Sequence, residues 1–263
     1  MAGTTVLVVA YDGAPFAGFA RQDGQLTVQG RLEGALGTAL RRRVETECAG
    51  RTDAGVHALG QVVSFPSEDA DPNAAALVRS LNALAGPEIV VRGVRFAPAG
   101  FSARHDALAR EYRYRLVPGS VPPLFLRDAA WWVKGPLDLD AMREGAAHLM
   151  GEHDFAAFCT AETARRLQTA TGRGTLRSID LLEIGTACEL GEQEVVVRVR
   201  GRAFLHSMVR IVAGTLVEVG RGKREPGWVG EALASRDRSA AGPTAPARGL
   251  VLWRVTYPEG LLR

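Results

Sequence analysis

Apolar positions in the first quarter of the chain change period twice. Residues 4–10 (Thr4-Thr5-Val6-Leu7-Val8-Val9-Ala10) form a short β-branched run of strand character. Val28, Leu32, Leu36 and Leu40 then fall at spacing four, which predicts a helix over 27–43 with one apolar stripe. Arg41, Arg42 and Arg43 close that segment, where positive charge complements the helix dipole. From 44 to 48 the period returns to two, with Val44, Thr46 and Cys48 on one face and Glu45 and Glu47 on the other. Residues 61–65 are again β-like. Further helices are predicted over 73–84, 139–149 and 204–219, and further strands at 89–91, 112–117, 178–184, 194–200 and 250–255. The polar, glycine-containing stretch 160–174 reads as a mobile loop, and 240–247, with Pro243 and Pro246, as a connector. Helices interrupt strands in a similar order along each half, so the pattern predicts an α+β chain of two halves around antiparallel sheet.

Composition narrows the chemistry. With 263 residues, 46% of them hydrophobic and 23% charged, the chain is long enough for one large or two small well-filled domains. It contains no apolar run of membrane-spanning length, and residues 1–10 lack the basic segment and cleavage site of a secretory leader. Cys48, Cys159 and Cys188 lie far apart with no CxxC spacing, and the five histidines form no HExxH or HxH pair. These features argue against a metal centre and for a reducing, cytoplasmic setting. Net charge is +3, and the only lysines are Lys134 and Lys223. Arginine suits planar, bidentate contact with phosphate, so the balance permits a nucleic-acid partner without requiring one.

Three segments carry candidate chemistry. Gly50-Arg51-Thr52-Asp53-Ala54-Gly55 puts a carboxylate and a guanidinium on a glycine-bracketed loop between two strand-like stretches. Glycines at both ends let the backbone turn sharply and let a ligand approach closely, although the same residues also make ordinary turns. Arg210 lies in the middle of the apolar segment 204–219. A buried guanidinium needs a carboxylate partner, for which Asp53 is the obvious candidate, or must extend along its own stem to water. An arginine neighbour would hold that aspartate ionised, ready to act as a nucleophile. Arg110-Glu111-Tyr112-Arg113-Tyr114-Arg115-Leu116 alternates aromatic and apolar residues with charge. Either Tyr112 or Tyr114 could pack in the core or stack on a base, and the pattern does not choose between them.

Taken together, the segments resemble one family, the bacterial tRNA pseudouridine synthases of the A type (the TruA family). The resemblance runs from Tyr11-Asp12-Gly13, Phe16 and Gly18 through Thr27-Val28-Gln29-Gly30 and Leu32-Glu33. It peaks at Gly50-Arg51-Thr52-Asp53-Ala54-Gly55-Val56-His57-Ala58, similar to the family's catalytic signature. It continues through Leu81-Asn82, Phe101-Ser102-Ala103-Arg104, Arg110-Glu111-Tyr112-Arg113-Tyr114 and Gly151-Glu152-His153-Asp154-Phe155. The last segments are Phe204-Leu205, Met208-Val209-Arg210, Ala245-Pro246 and Gly249-Leu250. One departure is local: Phe19-Ala20 stand where the family often has Trp-Gln, with Arg21-Gln22 beyond.

The resemblance implies two pseudo-symmetric RNP/ferredoxin-like halves, residues 1–108 carrying the aspartate loop and 109–263 completing a central active-site cleft. It implies that Asp53 is the nucleophile, that Tyr112 stacks on the target uracil, that Arg210 pairs with Asp53, and that Arg51 displaces the target base and takes its place. The implied reaction isomerises uridine to pseudouridine at positions 38, 39 and 40 in the anticodon stem-loop of tRNA, without metal or cofactor, on a cytoplasmic homodimer. A non-catalytic RNP-like RNA-binding protein would share the α+β halves and the aromatic strand, but would have no use for an arginine paired with a loop aspartate. A hydrolase or phosphotransferase is disfavoured, since the chain has neither a Gly-x-Ser-x-Gly elbow nor a Walker A sequence.

Overall fold

The computed structural model describes residues 3–68, 71, 73–168 and 174–262. In chain order the elements up to the middle of the chain are β1 (Thr4–Tyr11), α1 (Val28–Leu40), β2 (Glu47–Cys48), β3 (His57–Pro66), α2 (Ala74–Ala85), β4 (Ile89–Ala97) and β5 (Ala109–Gly119). They are followed by β6 (Trp131–Lys134), α3 (Leu139–Ala147), β7 (Gly151–Asp154), α4 (Ala161–Gln168), β8 (Leu176–Glu189), β9 (Glu192–Gly201), α5 (Met208–Gly220), α6 (Trp228–Ser235) and β10 (Leu250–Thr256). The result is a mixed α+β fold whose strand pairings are mostly antiparallel. The chain divides into two compact units, residues 1–110 with 251–263, and residues 111–250.

In the first unit the strands run in the order β4-β1-β3-β10, with β2 also against β3. β1 is antiparallel to both β3 and β4, and β10 joins β3 in parallel through Val251 opposite His57 and Leu252 opposite Ala58. That pairing puts residues 251–263 in the first unit instead of with 109–250. Val6, Ala49, Val62, Ala97, Phe101 and Ala103 make a buried cluster, covered by Val255, Tyr257, Leu261 and Leu262 from the C-terminal segment. α2 packs on β4 and is tied to it by one side chain: Asn82 donates to the Val91 carbonyl (3.0 Å) and accepts from the Val91 amide (2.7 Å).

Helix α1 begins where Thr27 caps it, its hydroxyl accepting from the Gly30 amide at 3.2 Å, a contact worth about 1 kcal/mol. It ends at Leu40, earlier than the periodicity predicts, because Arg41 turns into the left-handed region at φ 52°. The three arginines therefore lie past the helix: Arg42 pairs with Asp71 and Glu68, and Arg43 with Glu45. The strand expected over 44–48 shrinks to β2. Its first part is held by a carboxylate instead, since Glu33, buried on α1, accepts from both the amide and the hydroxyl of Thr46 at 2.9 Å each.

In the second unit the order is β5-β9-β8-β7, with β6 parallel to β5. α3 packs against β8, α5 and α6. α5 is buried around almost its whole circumference, as its composition predicts. It starts at Met208, later than the sequence pattern suggests, because Ser207 is left-handed at φ 58° and interrupts helical backbone there. Gly214 lets the connector approach α5, since a Cβ at that position would lie 1.9 Å from the Pro243 carbonyl oxygen. The stretch 160–174, expected as a loop, contains α4, whose first residues are fixed by the Thr160 hydroxyl, which accepts from the Thr163 amide and donates to the Thr163 hydroxyl. Residues 169–173 lie outside the described residues. β6, β7 and α6 had no counterpart in the sequence pattern, being four to eight residues long.

Candidate active site

The loop carrying Asp53 leaves β2 and enters β3, and its main chain is gripped by the segment that follows β1. The Phe19 amide donates to the Thr52 carbonyl at 3.0 Å, and the Gly55 amide to the Phe16 carbonyl at 3.4 Å. Within the loop, the Val56 amide donates to the Asp53 carbonyl at 3.2 Å and closes a tight turn, with Gly55 left-handed at φ 75°. Gly13 and Gly18 permit this approach. A Cβ on Gly13 would lie 2.1 Å from the Val56 carbonyl oxygen, and one on Gly18 would lie 3.0 Å from that of Thr52. Gly18 also needs its own freedom, at φ 109°. The Tyr11, Gly13, Phe16 and Gly18 motif of the sequence is thus the bed on which the aspartate loop rests. Phe19, the departure noted above, is buried beside Tyr11 with ring centroids 6.2 Å apart.

Exposure differs from residue to residue along the loop. Arg51 is exposed, Thr52 buried, Asp53 half-buried, Ala54 exposed and Val56 buried. Thr52 is fixed by its side chain, with 2.8 Å between its hydroxyl and that of Tyr11. The buried Gln61 amide donates to the Gly50 carbonyl at 2.6 Å and to the Tyr11 hydroxyl at 3.4 Å. His57 Nδ1 accepts from the Gly13 amide and lies 3.1 Å from Asp12 Oδ1. Cys48, just before the loop, is pushed up to about 11 by burial, against the opposing charges of Arg51 and Arg104.

The second unit holds the other candidates. On β5, Tyr112 and Tyr114 both face the interior. Tyr114 is wholly buried and its hydroxyl donates to the Pro246 carbonyl at 2.7 Å. Its ring stands edge-on to Trp131, and a Cβ on Gly249 would lie 2.7 Å from it. Burial holds its phenol protonated well above the usual range, with Arg210 and Arg248 pulling weakly the other way. Tyr112 makes an edge contact with Phe204, ring centroids 5.2 Å apart. On the charged face of β5, Arg198 bonds the buried Glu111 at 3.1 Å and Arg115 bonds Glu194 at 2.7 Å.

Arg210 lies in the first turn of α5, not its middle, and is half-buried. Its Nε donates to the Ala245 carbonyl at 2.9 Å while its own carbonyl accepts from the Ala245 amide at 3.1 Å. Ala245-Pro246, singled out in the sequence, therefore carries the anchors of both Arg210 and Tyr114. Of the four predicted site residues, Arg51 and Asp53 belong to the first unit and share one loop, while Tyr112 and Arg210 belong to the second. Of the supporting residues, Tyr11, Glu33 and Thr52 lie in motifs that the sequence already singled out, whereas Gln61 does not. The one available cue is a polar residue in an otherwise apolar strand, as Gln61 is before Val62 and Val63.

Among the described residues, no group of three or more His, Cys, Asp and Glu side chains is arranged to hold a metal ion, and no helix is long and apolar enough to cross a membrane. A family model described as tRNA pseudouridine synthase matches residues 146–258. A tRNA pseudouridine synthase A of Brevibacillus brevis is 44% identical over 251 residues, covering 95% of this chain and 98% of the relative. Relatives of the same name from Methylococcus capsulatus and Geobacter sulfurreducens are each 42% identical, covering 98% and 97% of this chain and 91% and 99% of their own lengths. With similarity at that level from one end to the other, the chain belongs to the tRNA pseudouridine synthase A family.

Proposed function

We propose that Asp53 is the nucleophile with which this chain, a tRNA pseudouridine synthase, converts uridine to pseudouridine at positions 38, 39 and 40 of the anticodon stem-loop. The reaction breaks the bond from C1′ to N1, turns the uracil, and forms a bond from C1′ to C5. The C5 proton is lost and N1 gains one, so no redox partner is required. The observation that carries the reading is the state of the Asp53 loop. Its main chain is immobilised against residues 13–19, while Asp53 is only half-buried and Arg51 is exposed. A pre-positioned nucleophile gains much of its rate from such immobilisation.

The target must leave the base stack before Asp53 reaches it. In this reading the exposed Arg51 fills the space left by the base, Tyr112 stacks on the extruded uracil, and Arg210 supplies the counter-charge that keeps Asp53 ionised. Tyr112 is preferred over Tyr114 because the Tyr114 hydroxyl and ring are already committed to Pro246 and Gly249. Phosphate contacts from arginines hold the stem, with specificity coming from how readily the loop deforms. The same reading has the protein act in the cytoplasm as a homodimer, which sedimentation with and without tRNA would test.

The deciding experiment is tritium release from a tRNA transcript labelled at uridine C5. Wild type is expected to release label, whereas Asp53→Asn binds tRNA normally and releases none. Substantial release by Asp53→Asn would remove Asp53 from the mechanism.

A further inference from the structure

Gln61 is fully buried in the fifth position of β3, between residues that are otherwise apolar or small. Burying an amide is costly unless each of its polar groups is bonded. Here all are. The two amide hydrogens go to the Gly50 carbonyl and the Tyr11 hydroxyl, and the oxygen accepts from the amides of Gly50 (3.4 Å) and Val62 (3.2 Å). The side chain thus engages Gly50 at both its N–H and its C=O, as a neighbouring strand would, at the point where the chain leaves β2. Tyr11 carries the same constraint two residues further, because its hydroxyl lies 2.8 Å from that of Thr52.

The strand geometry is arranged to allow this. The β1–β3 register shifts between Val9, opposite Gln61, and Tyr11, opposite Ala58. Such an irregularity turns side chains from their regular directions and is a common device beside functional sites. Gly60 next to it has no room for a side chain, since a Cβ there would lie 2.6 Å from the Trp253 carbonyl oxygen. Glycines at 50 and 55 leave the loop backbone intrinsically free. Something other than local stiffness must therefore fix the position of Asp53 on its upstream side, where the Gln61 amide network adds to the bond from the Phe19 amide to the Thr52 carbonyl.

We propose that Gln61 is a positioning residue for the isomerisation. Its amide fixes Gly50 directly and Thr52 through Tyr11, and so sets where the Asp53 carboxylate stands. The proposal rests on the reading of Asp53 as nucleophile. It concerns the rate of the chemical step and not the hold on tRNA, because neither Gln61 nor Tyr11 is exposed to a ligand.

The test is the single-turnover rate of tritium release at saturating enzyme, which does not depend on the fraction of tRNA bound, together with the tRNA dissociation constant. Gln61→Met keeps the volume and removes every bond. A misplacement of about 1 Å can cost up to about 100-fold, so the rate is expected to fall by at least about tenfold while tRNA affinity stays within about twofold. Tyr11→Phe removes only the relay and should slow the step less. The double variant should be less impaired than the product of the two single effects, as for groups in one network. If Gln61→Met does not fold, Tyr11→Phe decides the question alone. Single-turnover rates within about twofold of wild type, whatever the melting temperature, would reduce Gln61 to a structural residue and overturn the proposal. Asp53→Asn in the same assay separates the two readings. Turnover by that variant refutes Asp53 itself, whereas an inactive Asp53→Asn beside normal Gln61 and Tyr11 variants refutes only the positioning role.

Discussion

Gly13→Ala is the smallest change that should damage this enzyme from a residue with no chemistry of its own. A methyl group there would lie 2.1 Å from the Val56 carbonyl oxygen, 2.4 Å from its carbon and 2.9 Å from its nitrogen. The closest tolerated carbon–oxygen contacts are about 3.3 Å, so the two backbones must part by about 1.2 Å. Nothing flexible can yield, because all three neighbouring atoms are main chain. Two effects oppose each other. Gly13 is not in the left-handed region, so alanine should gain about 0.4–1 kcal/mol by restricting the unfolded chain. Overpacking of this kind costs about 1–3 kcal/mol, and the clash wins. The displaced residue, Val56, closes the turn on Asp53. Movement of that turn by about 1 Å is expected to lower single-turnover tritium release by about 100-fold, or about 2.7 kcal/mol of barrier. Urea titration measures the first quantity and single-turnover kinetics the second. A Gly13→Ala enzyme with wild-type stability and rate would show that the approach of residue 13 to Val56 is not a constraint on the loop.

The two tyrosines of β5 should separate by assay. Tyr114→Ala leaves a cavity in the core and is expected to cost about 3–5 kcal/mol of stability in denaturant titration, whereas Tyr112→Ala should lose turnover out of proportion to its loss of stability. The reverse pattern would assign the stacking role to Tyr114. Arg210→Leu is expected to abolish turnover and to lower the melting temperature, because the Ala245 carbonyl loses its donor. Wild-type rates in that variant would break the proposed pairing with Asp53. Alkaline stability follows from Tyr114 and Tyr257, whose phenols burial pushes above the ordinary tyrosine value of about 10. Above that pH the unfolded chain gives up protons that the folded chain keeps, so stability should be level below about pH 9 and fall as pH rises further. Tyr114→Phe should flatten that slope, and an unchanged slope would refute the assignment.

What the sequence made legible was set by how local the determining physics is. The spacing of Val28, Leu32, Leu36 and Leu40 placed α1, and the apolar circumference of 204–219 marked α5 as buried. The ends of both were displaced by backbone that periodicity does not register, the left-handed turns at Arg41 and Ser207. Val44 to Cys48 alternates correctly, yet only Glu47–Cys48 pairs as strand, because Thr46 bonds to a carboxylate on a helix rather than to a strand partner. Short pieces such as β6 and β7 depend on neighbours distant in the chain, Trp131 lying opposite Leu116 and Gly151 opposite Ile179. The Asp53 loop stood out because its glycines and charges are contiguous. The residues that hold it, Tyr11 and Gln61, lie 41 residues before Thr52 and 11 residues after Gly50 respectively, so their bonds to the loop could not be read from local spacing.

The proposed loop nucleophile, Asp53, faces two opposing demands, since it must be reachable and it must stand still. Exposed loops normally satisfy the first at the expense of the second. Here the conflict is resolved by pinning some residues of the loop and leaving others outside. Thr52 and Val56 point inward and are pinned, one through its hydroxyl to Tyr11 and the other by the close fit of Gly13 against its carbonyl. Asp53 lies between the pins and is half-exposed, with Arg51 outside them and exposed. The pins act on main chain and buried side chains, so a tRNA seated on the outer side need not disturb them. The glycines at 50 and 55 are then best understood as what lets so short a segment be pinned twice within five residues, rather than as a source of mobility during catalysis.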